Sequence, residues 1–127
     1  MSRQNISTGG PWEPIIGYSR AVRVGQQVFV SGCTAMTADG LVGADDTHAQ
    51  SVQALKTIQA ALEKAGAKLD HVVRTRIFMK DISKWEEAGR AHGEFFGTIR
   101  PATTMVEVSK LIDPAMLVEI EADAWIE

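Results

Sequence analysis

The 127-residue chain has a single cysteine, Cys33, so no disulfide can close within it and a small scaffold stapled by such bonds is excluded. Long apolar runs are also missing. Nothing approaches the ~20 residues of a membrane helix, and the opening Met1 to Pro14 is polar and Gly/Pro-rich where a signal peptide would carry an apolar core. The expectation is a cytoplasmic protein without a membrane partner. Basic excess is absent, with 13 Lys and Arg against 16 Asp and Glu and a net charge of −3, which argues against nucleic acid as a partner. His48, His71 and His92 include no pair at ligand spacing, so no metal site is expected, and Gly9-Gly10 precedes no strand-to-helix turn that would cradle a phosphate. No Ser/His/Asp or Cys/His order suggests an activated nucleophile. Cys33 reads as a buried or cleft-lining thiol.

What is present is ordinary globular material, 45% hydrophobic and 23% charged, enough for one domain over residues 1–127. Met1 to Ile16 has no periodicity and reads as a loop whose Trp12 packs onto the body. Tyr18 to Val24 and Gln27 to Ser31 form a hairpin around Gly25-Gln26, and Thr37 to Gly43 is a turn or short irregular excursion. Leu55, Ile58, Leu62 and Ala65 recur at helical spacing between a cap at Asp45, Asp46 or Thr47 and a left-handed stop at Gly66, with Gln50, Gln53, Lys56, Gln59 and Glu63 opposite. His71 to Lys80 alternates Val73, Thr75, Ile77 and Met79 against Arg74, Arg76 and Phe78, as a strand does. Ser83 to Glu86 is a capping-box pattern opening a second helix, with Trp85, Ala88, His92, Phe95 and Phe96 as its buried stripe.

The last quarter carries the functional signal. Two alternating segments, Thr103 to Lys110 and Leu117 to Ile126, flank an Asp113-Pro114 turn. In the second, Val118, Ile120, Ala122 and Ala124 oppose Glu119, Glu121 and Asp123. The order β-β-α-β-α-β-β gives an α+β domain whose two helices cover one face of a mixed sheet. If Arg74 and Arg76 share the other face with Glu107, Glu119 and Glu121, that face also holds Phe78 and Met105. It is then too charged for a core and too apolar for solvent, so self-association through the sheet, with clefts between subunits, is expected.

Gly17-Tyr-Ser-Arg-Ala-Val, Val28-Phe-Val-Ser-Gly, Leu62-Glu-Lys-Ala-Gly, Val73-Arg-Thr-Arg-Ile-Phe-Met-Lys-Asp, Arg100-Pro-Ala, Val106-Glu-Val and Val118-Glu-Ile-Glu-Ala follow one another along nearly the whole chain. In that order and spacing the sequence resembles the Rid family, also called YjgF or the L-PSP endoribonuclease-like family. The resemblance implies a chorismate-mutase-like fold assembled as a homotrimer with a small-molecule cleft between neighbouring subunits. In the family's RidA branch it implies hydrolysis of 2-imino acids to 2-keto acids and ammonia, with no metal or organic cofactor. Carried over by position, Glu119 holds the attacking water, Tyr18 closes the cleft, and Ser31-Gly32 supplies backbone contacts beside Cys33.

The family's carboxylate-anchoring arginine falls at Thr103, directly after Pro101-Ala102 and two residues before Met105, which is also placed among the ligand contacts. A threonine offers one neutral hydrogen bond where arginine offers a charged fork. Losing ~1.5–3 kcal/mol of that contact lowers affinity or rate roughly 10- to 100-fold, so ordinary 2-imino acid deaminase activity is not expected. Arg20, Arg76 and Arg100, in that order, are candidates to replace the anchor. Three readings follow: a hydrolase of imines or related compounds, a carboxylate-binding protein without turnover, and, least favoured, the RNA cleavage and translation inhibition of the family's older labels.

Overall fold

The computed structural model describes residues 2–127. Strands β1 (Arg3–Ile6), β2 (Ala21–Val24), β3 (Gln27–Cys33), β6 (Val72–Met79), β7 (Ala102–Glu107) and β8 (Val118–Trp125) form one sheet in the order β1-β2-β3-β8-β6-β7. Only the β6–β7 pair is parallel; the other neighbours run antiparallel. Two-residue strands β4 (Met36–Thr37) and β5 (Gly40–Leu41) make a separate small hairpin. The helices α1 (Thr47–Lys64) and α2 (Trp85–Phe96) pack together, and α1 also rests on β3 and β8.

The expected order β-β-α-β-α-β-β holds for the body of the chain and gains an edge strand. Residues 3–6 had no apolar period because Arg3, Gln4 and Asn5 are exposed and only Ile6 is buried, yet their backbone pairs with β2. Within the stretch read as a loop, Glu13–Gly17 forms a wide helical turn in which Tyr18 N–H donates to the Glu13 carbonyl. Met1 lies outside the described residues.

Helix α1 follows its sequence signals. Asp46 caps it by accepting from Ala49 N–H at 3.0 Å, and Leu55, Ile58, Leu62 and Ala65 are buried. Gly66 closes it at φ +84° while Ala67 N–H reaches back to the Leu62 carbonyl. Gln50, assigned to the polar face, is instead fully buried. Its amide donates to the Gly43 and Ala115 carbonyls and accepts from Leu117 N–H, tying α1 to the turn before β8.

Helix α2 departs further. Ser83 does not cap it; Asp81 accepts from Ser83 N–H and Oγ to close a preceding helical turn, and Trp85 stands 53% exposed. Ala88, Ala91 and Phe96 carry the buried stripe. In β6 a bulge between Val72 and Arg74 turns Val73 outward, whereas Thr75, Ile77 and Met79 face the helices as expected.

The sheet face away from the helices holds Arg76, whose Nη1 donates to Glu121 at 3.2 Å and Asp123 at 3.4 Å. Met105 and Glu107 do not share it. The parallel register sets Met105 beside Ile77 and Glu107 beside Met79 on the helix side, where Met105 packs on the core and Glu107 Oε1 accepts from Ile82 N–H.

Candidate functional site

A partly open cavity of about 570 Å³ lies where β3 bulges between Val30 and Cys33. Cys33 pairs with Ile120, whereas Glu119 precedes Ile120 and belongs to the other side of the pleat. Both nevertheless line the cavity. The bulge and the bare backbone of Gly32 make this possible: a Cβ at Gly32 would overlap Glu119 Oε2, so the carboxyl rests where any other residue would put its side chain.

Burial raises the pKa of Glu119, and the like charge of Glu121 adds to it; the positive charge of Arg20 acts in the opposite direction and does not cancel them. The result is a carboxyl poised to exchange a proton nearer neutrality than an exposed glutamate does.

Arg20 forms the opposing feature. Nη1 donates to the Gly32 carbonyl at 2.7 Å and to Cys33 Sγ at 3.5 Å, Nη2 donates to the Tyr18 hydroxyl at 3.3 Å, and the Tyr18 ring lies 5.5 Å from the guanidinium carbon. Burial disfavours its charge, but Cys33 and Tyr18 outweigh that and keep it a guanidinium. The Cys33 thiol is pushed up to about 11 by burial, against the pull of Arg20, and its Sγ donates to the Ser31 carbonyl. A buried, protonated thiol of this kind is a wall group rather than a nucleophile. Ser31 Oγ is likewise engaged, donating to the Ser19 carbonyl at 2.6 Å.

The amino-terminal wall is Thr8 to Trp12. Glu13 pins it, its Oε2 accepting from Gly10 N–H at 2.8 Å and from Thr8 N–H at 3.3 Å. Burial raises the Glu13 pKa, yet these hydrogen bonds, one from Ser7 and the charge of Arg20 outweigh burial and lower it overall. Gln53 and Thr57, four residues apart on α1, and Met116 complete the far side.

Tyr18, Arg20, Ser31, Gly32, Cys33 and Glu119 are thus brought together in one chain, while Arg76, Arg100, Thr103 and Met105 lie outside the cavity. Arg76 is held by Glu121 and Asp123, and Arg100 sits at φ +58° before β7. Thr103 Oγ1 lies 2.7 Å from Thr75 Oγ1, which lies 2.8 Å from His92 Nε2, and donates to the Pro101 carbonyl at 3.2 Å. Burial lowers the His92 pKa, and its ring stacks at 4.7 Å on Phe96. The sequence reading missed Thr8, Gly10, Gln53 and Thr57; the i, i+4 polar pair on α1 was its one available signal. Among the described residues there is no cluster of three or more His, Cys, Asp or Glu able to hold a metal, and no helix long and apolar enough to cross a membrane.

A six-stranded mixed sheet with two helices on one face and a ligand-sized cleft at its bulged strand defines an α+β domain of the YjgF type. Residues 10–126 match the family described as Endoribonuclease L-PSP, and the chain belongs to that family, the YjgF or Rid family. It is similar to Rv2704 of Mycobacterium tuberculosis, a member of the YjgF/YER057c/UK114 family, at 51% identity and a TM-score of 0.90 over 98% of this chain and 100% of that one. It is 34% identical to a RutC family protein of Pyrococcus abyssi over 100% of both chains. It is also 36% identical to a 2-iminobutanoate/2-iminopropanoate deaminase of Dermatophagoides farinae, covering 96% of this chain and 95% of that one.

Proposed function

We propose that the protein is a cytoplasmic homotrimer that binds a small metabolite in clefts between subunits and hydrolyses C=N bonds there. The observation that carries this reading is the Glu119 carboxyl, raised in pKa and laid across Gly32 in the cavity wall. Ionised Glu119 takes a proton from a water as its oxygen bonds to the imine carbon, and the C=N π pair moves to nitrogen, which receives that proton from the Glu119 carboxyl. The carbinolamine hydroxyl then passes its proton through Glu119 to the nitrogen, the C–N bond breaks to release ammonia, and the carbonyl forms. The sequence is redox-neutral and calls for no cofactor. Tyr18 would shield the reacting centre from bulk water.

Self-association is supported by the sheet face that the helices leave open, where Phe29, Val106 and Trp125 are exposed beside the Arg76 ion pairs. In such a trimer Thr103, exposed on the edge strand β7, would enter a neighbour's cleft. Sedimentation at micromolar concentration should give three times the chain mass, and a monomer would refute the assembly.

The activity test is ammonia release from imines generated in situ, with Glu119→Gln as the control; 2-iminopropanoate should turn over slowly, because the family's arginine is replaced by Thr103. Restoring the family's arginine with Thr103→Arg should raise the rate if a neutral residue there limits binding. The second reading, a carboxylate-binding protein without turnover, is favoured by the engagement of the Thr103 hydroxyl with Thr75 and Pro101. Saturable binding of a keto acid with no ammonia above the buffer rate would establish it. RNA cleavage that survives both repeated purification and Glu119→Ala would overturn both readings.

A further inference from the structure

Arg20 is a buried charge without an ion-pair contact. It is only 9% exposed, and among the described residues no carboxylate lies within ion-pair distance of it. Glu13, close enough for its charge to be felt, spends Oε2 on Gly10 and Thr8, and Glu119 spans the same cavity without touching the guanidinium. The partners Arg20 does have are a carbonyl, a thiol and a phenol, and its Nε–H has none. Burying a guanidinium with incomplete hydrogen bonding is costly, and proteins tolerate it where an anion completes the set.

Its place in the cleft narrows what that anion can be. Arg20 is the one cationic side chain among the described lining residues, and the carbonyl of Gly32, the residue over which Glu119 lies, also fixes Arg20 Nη1. Nε is sealed inside the protein, so the group a ligand can meet is the charged Nη2. Only the 3.3 Å contact to the Tyr18 hydroxyl engages Nη2, so a ligand oxygen can join or displace it. A molecule held there by its charged end presents its adjacent carbon toward Glu119, across a cavity otherwise walled by Trp12, Cys33, Met116 and Ile112.

We propose that Arg20 is the anion anchor of this cleft, so that the ligand is a small α-substituted carboxylate whose charged group seats on Arg20 and whose neighbouring carbon faces Glu119. The inference rests on the reading of the cavity as a ligand cleft given above and adds its selectivity. It also accounts for a chain that lacks an arginine after Pro101-Ala102: the cation is supplied from β2's approach rather than from β7.

The test compares pyruvate with its neutral isostere pyruvamide, binding being read by calorimetry and by the fluorescence of Trp12, which lines the cleft. The wild type should bind pyruvate at least tenfold more tightly than pyruvamide. Arg20→Gln should reduce pyruvate to the affinity of pyruvamide, and continued binding of pyruvamide shows that the cleft is intact. Arg20→Lys should recover part of the preference. Equal binding of the two probes by the wild type, or full preference surviving Arg20→Gln, overturns the anchor while leaving the cleft standing. Binding of neither probe removes the cleft reading and the anchor with it. The wild-type comparison decides the matter even if Arg20→Gln fails to fold.

Discussion

Gly32→Ala isolates the contact on which the site turns. Gly32 lies outside the left-handed region adopted by Gly9, Gly17, Gly25, Gly40, Gly43 and Gly66, so its backbone accepts an alanine. With nothing in the way, such a change stabilises by about 0.4–1 kcal/mol through the unfolded chain. Here the new methyl would overlap Glu119 Oε2 and stand 2.8 Å from Glu119 Cδ and 3.1 Å from Cγ, so the glutamate must leave or the strands must part. Overpacking of this kind costs about 1–3 kcal/mol. In a Glu119→Ala background the obstruction is gone and the same substitution should be neutral or stabilising. The double-mutant cycle should therefore return a coupling of about 1–3 kcal/mol, the overpacking cost alone, since the gain through the unfolded chain is common to both backgrounds and cancels. Denaturant unfolding of the four proteins gives the number, and thermal melts should follow at about 3–5 °C per kcal/mol for a chain this long. If Gly32→Ala destabilises equally in both backgrounds, the glycine serves the backbone and not Glu119, and the account of the site fails.

Glu119→Gln should reduce any hydrolysis by about 10²- to 10⁴-fold, read as ammonia release, if Glu119 is the base. It should also change the pH dependence of stability. With the folded-state pKa raised, the stabilising contribution of protonated Glu119 is fully present below the unfolded carboxylate value and is lost as pH rises through the raised one. The wild type should therefore lose stability relative to the glutamine variant as pH rises above the ordinary glutamate range; parallel melting curves would contradict the shift. His92 acts in the opposite direction: its lowered pKa gives stability present above the unfolded histidine value and lost as pH falls through the folded one, so replacing His92 by Asn should flatten that acid limb. Thr103→Val breaks the Thr103–Thr75–His92 chain and should cost about 1 kcal/mol in urea unfolding. Cys33, held near 11, should react with a disulfide reagent at neutral pH about 100-fold more slowly than a free thiol, and rapid stoichiometric labelling would refute its burial.

By itself the sequence determined the strands and helices whose apolar residues repeat at a fixed period. Through the family resemblance it also nominated Glu119, Tyr18, the Ser31-Gly32 turn and, first among three arginines, Arg20, residues that line one cavity in the fold. Periodicity reports which face of its own element a residue occupies, so Val118, Ile120, Ala122 and Ala124 were legible as one buried row and Gly66 as a helix stop. It cannot report which distant group will claim that residue. Tertiary structure alone decided that Gln50 is drawn into the interior by backbone groups near residue 115, that a bulge turns Val73 out, and that polar residues 3–6 pair with an open edge. The same holds for the two arginines. Arg20 immediately precedes β2 and Arg76 lies within β6, but acidic neighbours on β8 hold Arg76 on the open face, while the bulged turn at Gly32 draws Arg20 into the cavity. What separates them is long-range hydrogen bonding, which exists only once β2 has paired with β3 and β6 with β8.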